Sequence, residues 1–205
     1  MKNYFYAKII LDRLTALIAL LLLSPLFILI SVLIKLDSKG PVFFRQRRIG
    51  LGKKKFEIFK FRTMKTDTPK NMPTHLLSNP QKYITRLGSF LRKSSLDELP
   101  QLLNILRGEM SIVGPRPALW NQYDLISARD EFLANDIYPG LTGWAQVNGR
   151  DELPIEVKAA YDGEYVKKMS ISFDFYILFK TIINVFLSKG VMEGNKSTVN
   201  EKIKV

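Results

Sequence analysis

The 205-residue chain has no cysteine and a single histidine, His75. The first absence excludes a disulfide framework, and the two together exclude zinc sites of the usual Cys and His types, so any metal must rest on oxygen ligands. Acid is scarce in the N-terminal third. Residues 1–65 hold fourteen Lys and Arg against three acids, Asp12, Asp37 and Glu57, a net charge of +11, whereas the remaining residues hold seventeen against sixteen. The overall +12 is therefore an N-terminal feature, in a chain whose 46% apolar and 24% charged residues fit one globular domain with a core.

The basic third also contains the one long stretch without charge. Residues 14–34 read LTALIALLLLSPLFILISVLI, twenty-one residues, long enough for the hydrocarbon core of a bilayer. The run is too long for a signal peptide and no small-x-small cleavage site follows it before Lys35. Ser24 and Pro25 stand at its centre, where proline removes a backbone donor and crowds the carbonyl four residues back, so the helix must kink or break. Two readings are open: a kinked span, or a re-entrant helix that turns at Ser24-Pro25 and leaves by the face it came from. Lys2, Lys8 and Arg13 precede the run and Lys35, Lys39, Arg45, Arg47, Arg48, Lys53, Lys54 and Lys55 follow it, which suits two ends held at one anionic cytoplasmic surface.

Beyond the run, PVFFRQRRIGLGKKKFEIFKFRTM (41–64) predicts a β-hairpin whose basic tip either meets lipid headgroups or is simply solvated. Residues 66–82, with three prolines, read as a loop. Helical periodicity returns at 84–92 and again after Asp97, where Leu99, Leu102, Leu103 and Leu106 share a face up to a stop at Gly108. GPRP (114–117) is a rigid turn around Arg116, and YPGLTGWAQVNGR (138–150) is a Gly-punctuated loop. Residues 171–189 form a helix that is either buried or interfacial, and 190–205 read as a polar, disordered tail.

The stretch SSLDELPQ (94–101) supports two readings of its own. Ser95 and Glu98 have capping-box spacing, acids suit a first helical turn, and Pro100 places the helix start at about Ser95 to Asp97. Alternatively, Arg92, Lys93 and Arg116 keep Asp97 ionised, so that it can attack a phosphoryl group while Glu98 holds a divalent ion on the substrate phosphates.

SSLDELPQLLNILRGEMSIVGPRP, with KFEIFKFRTM before it and PGLTGWAQVNGR after it, resembles the bacterial sugar transferase family, the small monotopic polyprenyl-phosphate phosphoglycosyl transferases, over about residues 5 to 190. The resemblance implies transfer of sugar-1-phosphate from a UDP-sugar to polyprenyl (undecaprenyl) phosphate with release of UMP, through a covalent phosphosugar on Asp97. Glu98 takes the second role of the dyad, with Mg²⁺ as the ion held by Glu98 and Asp97. Arg116, Arg92 and Lys60 become phosphate contacts. Gln146, Asn148, Arg150 and Asp174 become further substrate-site candidates. Ser24-Pro25 becomes the break of a re-entrant helix. The expected fold is α+β and mostly helical: a re-entrant anchor at 1–40, a catalytic domain at 41–189 built from a hairpin and interfacial amphipathic helices, and the tail at 190–205. The expected place is the cytoplasmic face of the bacterial inner membrane, in capsule, exopolysaccharide or glycoprotein-glycan assembly, with membrane lipids as partners and homo-oligomer formation left open. The chain as given resembles the minimal catalytic form of the family.

Two rivals come from other classes. A nucleic-acid binder would use the basic third, but the uncharged run at 14–34 argues against a soluble one. A membrane scaffold would use SSLDELP only as a helix cap.

Overall fold

The computed structural model describes residues 2–68, 80–149 and 153–187. The uncharged run is two helices, α1 (Lys2–Leu22) and α2 (Ser24–Asp37), separated at Leu23 and bent by 63°. The break has a local cause. Pro25 has no N–H to give the carbonyl of Leu21, and the Ser24 hydroxyl donates to that carbonyl instead, at 2.8 Å. Among the described residues no single helix is long and apolar enough to cross a membrane, and only the bent pair passes by length and composition.

The hairpin forms as expected, from β1 (Phe43–Ile49) and β2 (Lys55–Phe61), antiparallel with Phe44 opposite Lys60. Its tip turns through Gly52 and Lys53, both at positive φ, and docks on the protein. Lys53 pairs with Asp130 at 2.6 Å, the Gly52 N–H donates to the Asn135 carbonyl, and the Lys55 ammonium lies over Trp120.

Next come α3 (Arg86–Lys93), a 3-10 helix (Leu96–Gln101) and α4 (Leu102–Arg107), closed at Gly108 with φ 75°. Here the sequence expectation needs correction. No capping box forms: Ser95 is left-handed (φ 57°), its carbonyl rather than its hydroxyl accepts the Glu98 N–H, and the Glu98 carboxylate turns elsewhere. The leucine stripe also breaks, because the 3-10 turn rotates the register, so that Leu102 and Ile105 are buried while Leu106 is exposed.

Two short strands were not expected, the second of them inside the stretch 138–150 read as a loop. β3 (Ser111–Val113) and β4 (Gly140–Thr142) pair in parallel on either side of α5 (Tyr123–Asp130), which the sequence reading also passed over. Then α6 (Trp144–Val147), α7 (Ile155–Lys168) and α8 (Ile171–Phe186) complete an α+β, mostly helical architecture. Three apolar clusters hold it. Ala16 of α1 packs with Ile58, Leu102, Ile105 and Met110; Ile30 and Ile34 of α2 pack with Phe61 and Leu91; Val113, Tyr165 and Ile177 join β3 to α7 and α8. The helix α8 is neither buried all round nor detached: Asp174 and Ile177 face inward, while Phe175, Phe179, Ile182 and Ile183 are exposed.

Candidate active site

Three segments converge on the acidic pair. Lys60 comes from the end of β2, Asp97 and Glu98 from the 3-10 helix, and Arg116 from the turn after β3. That turn is fixed by backbone bonds from Gly114 N–H to the Thr142 carbonyl and from Gly140 N–H to the Pro115 carbonyl. The chains approach so closely that a Cβ on Gly114 would sit 2.4 Å from the Tyr138 carbonyl oxygen.

The two carboxylates are treated differently. Glu98 Oε1 accepts from Lys60 Nζ at 2.7 Å and from Arg116 Nη2 at 2.9 Å, a doubly cationic clamp. Asp97, only 7% exposed, meets Lys60 at 3.9 Å. Burial alone would raise the Glu98 carboxyl, but Arg116 and Lys60 reverse this and hold it well below the usual carboxylate range. For Asp97, burial is the largest influence and Glu98 adds to it; Lys60, Arg92 and Arg116 pull the other way, and the net direction is upward. The cations that the sequence offered to keep Asp97 ionised are present, and desolvation, which only the folded chain supplies, outweighs them in the direction of the shift.

Arg92, in the last turn of α3, contributes to this field and places Nη1 3.9 Å from the Met64 sulfur. The other candidates lie in different bonding networks. Gln146 donates to the Leu141 carbonyl at 3.1 Å and Asn148 to the Trp144 carbonyl at 2.8 Å, which ties α6 to its own neighbourhood; Gln146 Oε1 is buried with no partner among the described residues. Asp174 accepts from Lys8 at 2.5 Å, from the Tyr4 hydroxyl at 2.7 Å and from the Tyr165 hydroxyl at 2.8 Å, and none of these partners bonds to the dyad. Arg150 and His75 lie outside the described residues.

Sequence reasoning missed three buried polar side chains around the site. Asp12 of α1 accepts from the Ser111 hydroxyl and from the Ile112 N–H, pinning β3 two residues ahead of the Arg116 turn. Lys8 and Asp12 carried a legible signal, an i,i+4 ion pair just before an apolar run. Arg62 donates to the carbonyls of Lys39 and Ser38 at 3.0 and 2.6 Å, closing the end of α2. Asn104, with no exposed surface, joins α4 to β2; its signal was a lone amide among leucines.

No group of three or more Asp, Glu, His or Cys capable of caging a metal occurs among the described residues. Asp97 and Glu98 do face one shared cationic point, the Lys60 ammonium, and two hard carboxylates so arranged match a Mg²⁺ ion that takes its remaining ligands from phosphate and water.

The bacterial sugar transferase family matches residues 3–188. The exopolysaccharide production protein ExoY of Sinorhizobium fredii is 43% identical over 193 residues, covering 87% of this chain and 85% of that protein. The UDP-glucose:undecaprenyl-phosphate glucose-1-phosphate transferase of Xanthomonas campestris pv. campestris is 44% identical over 195 residues, 91% of this chain but only 40% of that longer protein. An N-acetylgalactosaminephosphotransferase of Aeromonas hydrophila, acting with UDP-N-acetylgalactosamine and undecaprenyl phosphate, is 38% identical over 192 residues, 91% of this chain and 45% of that one. The chain belongs to the bacterial sugar transferase family, enzymes of the transferase class.

Proposed function

We propose that the protein transfers sugar-1-phosphate from a UDP-sugar to undecaprenyl phosphate, by way of a covalent phosphosugar on Asp97. The observation that carries this reading is the unequal treatment of two adjacent carboxylates: Glu98 bonds Lys60 at 2.7 Å and Arg116 at 2.9 Å, whereas Asp97 stands 3.9 Å from the same Lys60 ammonium. An Asp97 oxygen attacks the sugar-bearing phosphorus of the donor, the bond from that phosphorus to the bridging oxygen breaks, and UMP leaves with the electron pair. A phosphate oxygen of the acceptor then attacks the acyl phosphate, releasing the Asp97 carboxylate and the polyprenyl diphosphate sugar. The upward direction of the Asp97 carboxyl suits the role, since a more basic carboxylate is the better nucleophile once ionised.

Glu98 acts as an anchor, keeping the guanidinium fork of Arg116 and the ammonium of Lys60 at the place where the donor's diphosphate would lie. Mg²⁺, when bound through Glu98 and Asp97, would neutralise phosphate charge as UMP departs. Arg92 adds positive potential beside Asp97. Gln146, Asn148 and Arg150 belong to the motif assigned to nucleotide or sugar, and the partnerless, buried Oε1 of Gln146 suits a donor group on the ligand.

Membrane placement follows from the acceptor, whose phosphate lies at headgroup level. The outward faces of the bent pair are apolar: Ile10, Leu14, Leu17, Leu21, Ile28, Leu29, Val32 and Leu36 are all exposed. A 63° bend shared equally between the two arms leaves each inclined by about 32° to the membrane plane. The fourteen residues of α2, about 21 Å of helix, then penetrate about 11 Å, inside one leaflet of a hydrocarbon core about 30 Å thick. That depth is compatible with the re-entrant anchor, which the basic flanks on both sides of the run favour over a span, with the exposed apolar face of α8 resting in the interface. The basic flanks at both ends of the run suit an anionic cytoplasmic surface, and this reading puts the site on that face.

The test is intact mass after incubation with Mg²⁺ and a panel of UDP-sugars without acceptor. A sugar-phosphate adduct with UMP release, absent in Asp97→Asn, is expected and identifies the donor. UMP release that appears only with acceptor, with no adduct, would replace the covalent route by direct transfer.

A further inference from the structure

The strand β2 is paired on one edge only. Its ladder to β1 uses one set of backbone groups, and the opposite edge presents the Glu57 carbonyl and the Phe59 N–H toward the core, next to the buried Ile58 and Phe59. A third strand would satisfy these groups, and no strand lies there among the described residues. The side chain of Asn104 does the work of one: Nδ2 donates to the Glu57 carbonyl at 2.7 Å, and Oδ1 accepts from the Phe59 N–H at 3.0 Å. The second hydrogen of Nδ2 goes to Glu109 Oε2 at 2.7 Å, which fixes the amide's orientation. No other side chain of this size offers a donor and an acceptor side by side. Aspartate lacks the donor, serine reaches only one group, and glutamine is a methylene too long.

We infer that Asn104 is a positioning residue for the reaction, a one-residue substitute for a strand that fixes the register of β2, and with it Lys60, against the helix bearing Asp97 and Glu98. Phe59, which the clamp grips, is the residue before Lys60; Asn104 is six residues after Glu98, in the first turn of α4. The clamp and the Lys60–Glu98 bond join the same two elements at two points, so neither can slide past the other. Apolar packing of Ile58 on Leu102 and Ile105 does not supply this, because such contacts are tolerant of position while hydrogen bonds are not. Slippage by a single residue would turn Lys60 to the opposite face of the strand.

The kinetic part of the test rests on the proposed reaction; the labelling part does not. Lysine acylation followed by peptide mass spectrometry reads the protection of Lys60, whose side chain is 16% exposed, against Lys168, at 61%, as internal control. In folded Asn104→Ser, Lys60 is expected to label at least threefold faster with Lys168 unchanged, and kcat/KM for UMP release is expected to fall at least tenfold. Should Asn104→Ser fail to fold, Glu109→Leu removes only the bond that orients the amide, and it must still raise Lys60 labelling. Unchanged labelling in either folded variant overturns the inference. Wild-type protein that releases no UMP from any donor overturns the proposed reaction instead, and the labelling then decides the role of Asn104 alone.

Discussion

Replacing Lys8 by methionine is the most demanding check on how the first helix joins the catalytic domain. The ammonium of Lys8 lies 2.5 Å from Asp174 and 3.3 Å from Asp12, with all three side chains close to 10% exposed. Lys8→Met leaves two buried carboxylates without their cation, a change that costs 3–5 kcal/mol in general, roughly speaking. The lower end applies here. Asp174 keeps the hydroxyls of Tyr4 and Tyr165, and Asp12 keeps the Ser111 hydroxyl and the Ile112 N–H, so each carboxylate retains two donors. A loss of about 3 kcal/mol in a domain of this size lowers Tm by roughly 6–12 °C. Differential scanning fluorimetry in detergent reads it from Trp120 and Trp144. The double variant Lys8→Met/Asp174→Asn removes one uncompensated charge and is expected to regain about half the loss. A Tm shift below about 2 °C for Lys8→Met, or a double variant less stable than the single one, would refute the charge argument.

In a pH–rate profile of UMP release, activity depends on ionised Asp97: it is present above the carboxyl's folded pKa, lost below it, and the inflection lies above the ordinary aspartate value because burial raises it. Lys60→Met removes a lowering influence and moves that inflection further up; a downward move contradicts the assignment. Gly88→Ala puts a Cβ 2.0 Å from the Thr63 carbonyl oxygen, a backbone atom that cannot yield, so a loss of about 1–3 kcal/mol is expected in thermal unfolding and an unchanged Tm counts against the packing described. Since the chain has no cysteine, Tyr6→Cys and Lys39→Cys give clean labelling sites near the start of α1 and just after α2. In right-side-out and inverted vesicles both react with an impermeant maleimide from the same side; reaction from opposite sides establishes a span.

The hairpin, the break at Ser24-Pro25 and the dyad were legible because each is written locally. Alternating aromatic residues make β1 and β2, a proline makes the break, and two acids stand together before a proline. What was not legible depends on distant partners. β3 and β4 are three residues each and exist only as a parallel pair between segments 29 positions apart, so neither carries a periodicity of its own. Ser95 and Glu98 had the spacing of a cap, yet Lys60 and Arg116, from other parts of the chain, take the Glu98 carboxylate. The same limit governed Asp97: cations close in sequence were countable, whereas burial, the larger influence, belongs to the folded molecule.

The four residues from Lys60 to Thr63 tie the bent helix pair to the acidic dyad. Lys60 reaches the dyad at 2.7 Å, Arg62 binds the carbonyls of Ser38 and Lys39 just after α2, and the Thr63 carbonyl accepts the Thr85 N–H where Gly88 brings α3 against it. Anchor, active site and the helix before the dyad thus meet on one short stretch. At about 3.3 Å per extended residue, Lys60 stands roughly 7 Å along the chain from the residue that closes the anchor. In the proposed re-entrant reading α2 leaves the hydrocarbon near Lys35, so the short link through Arg62 keeps the dyad close to the membrane surface. Part of the basic N-terminal third would then serve the anchor, with Lys35 and Lys39 at the anionic surface, while Lys8, Lys53 and Lys60 pair with Asp174, Asp130 and Glu98 of the same chain.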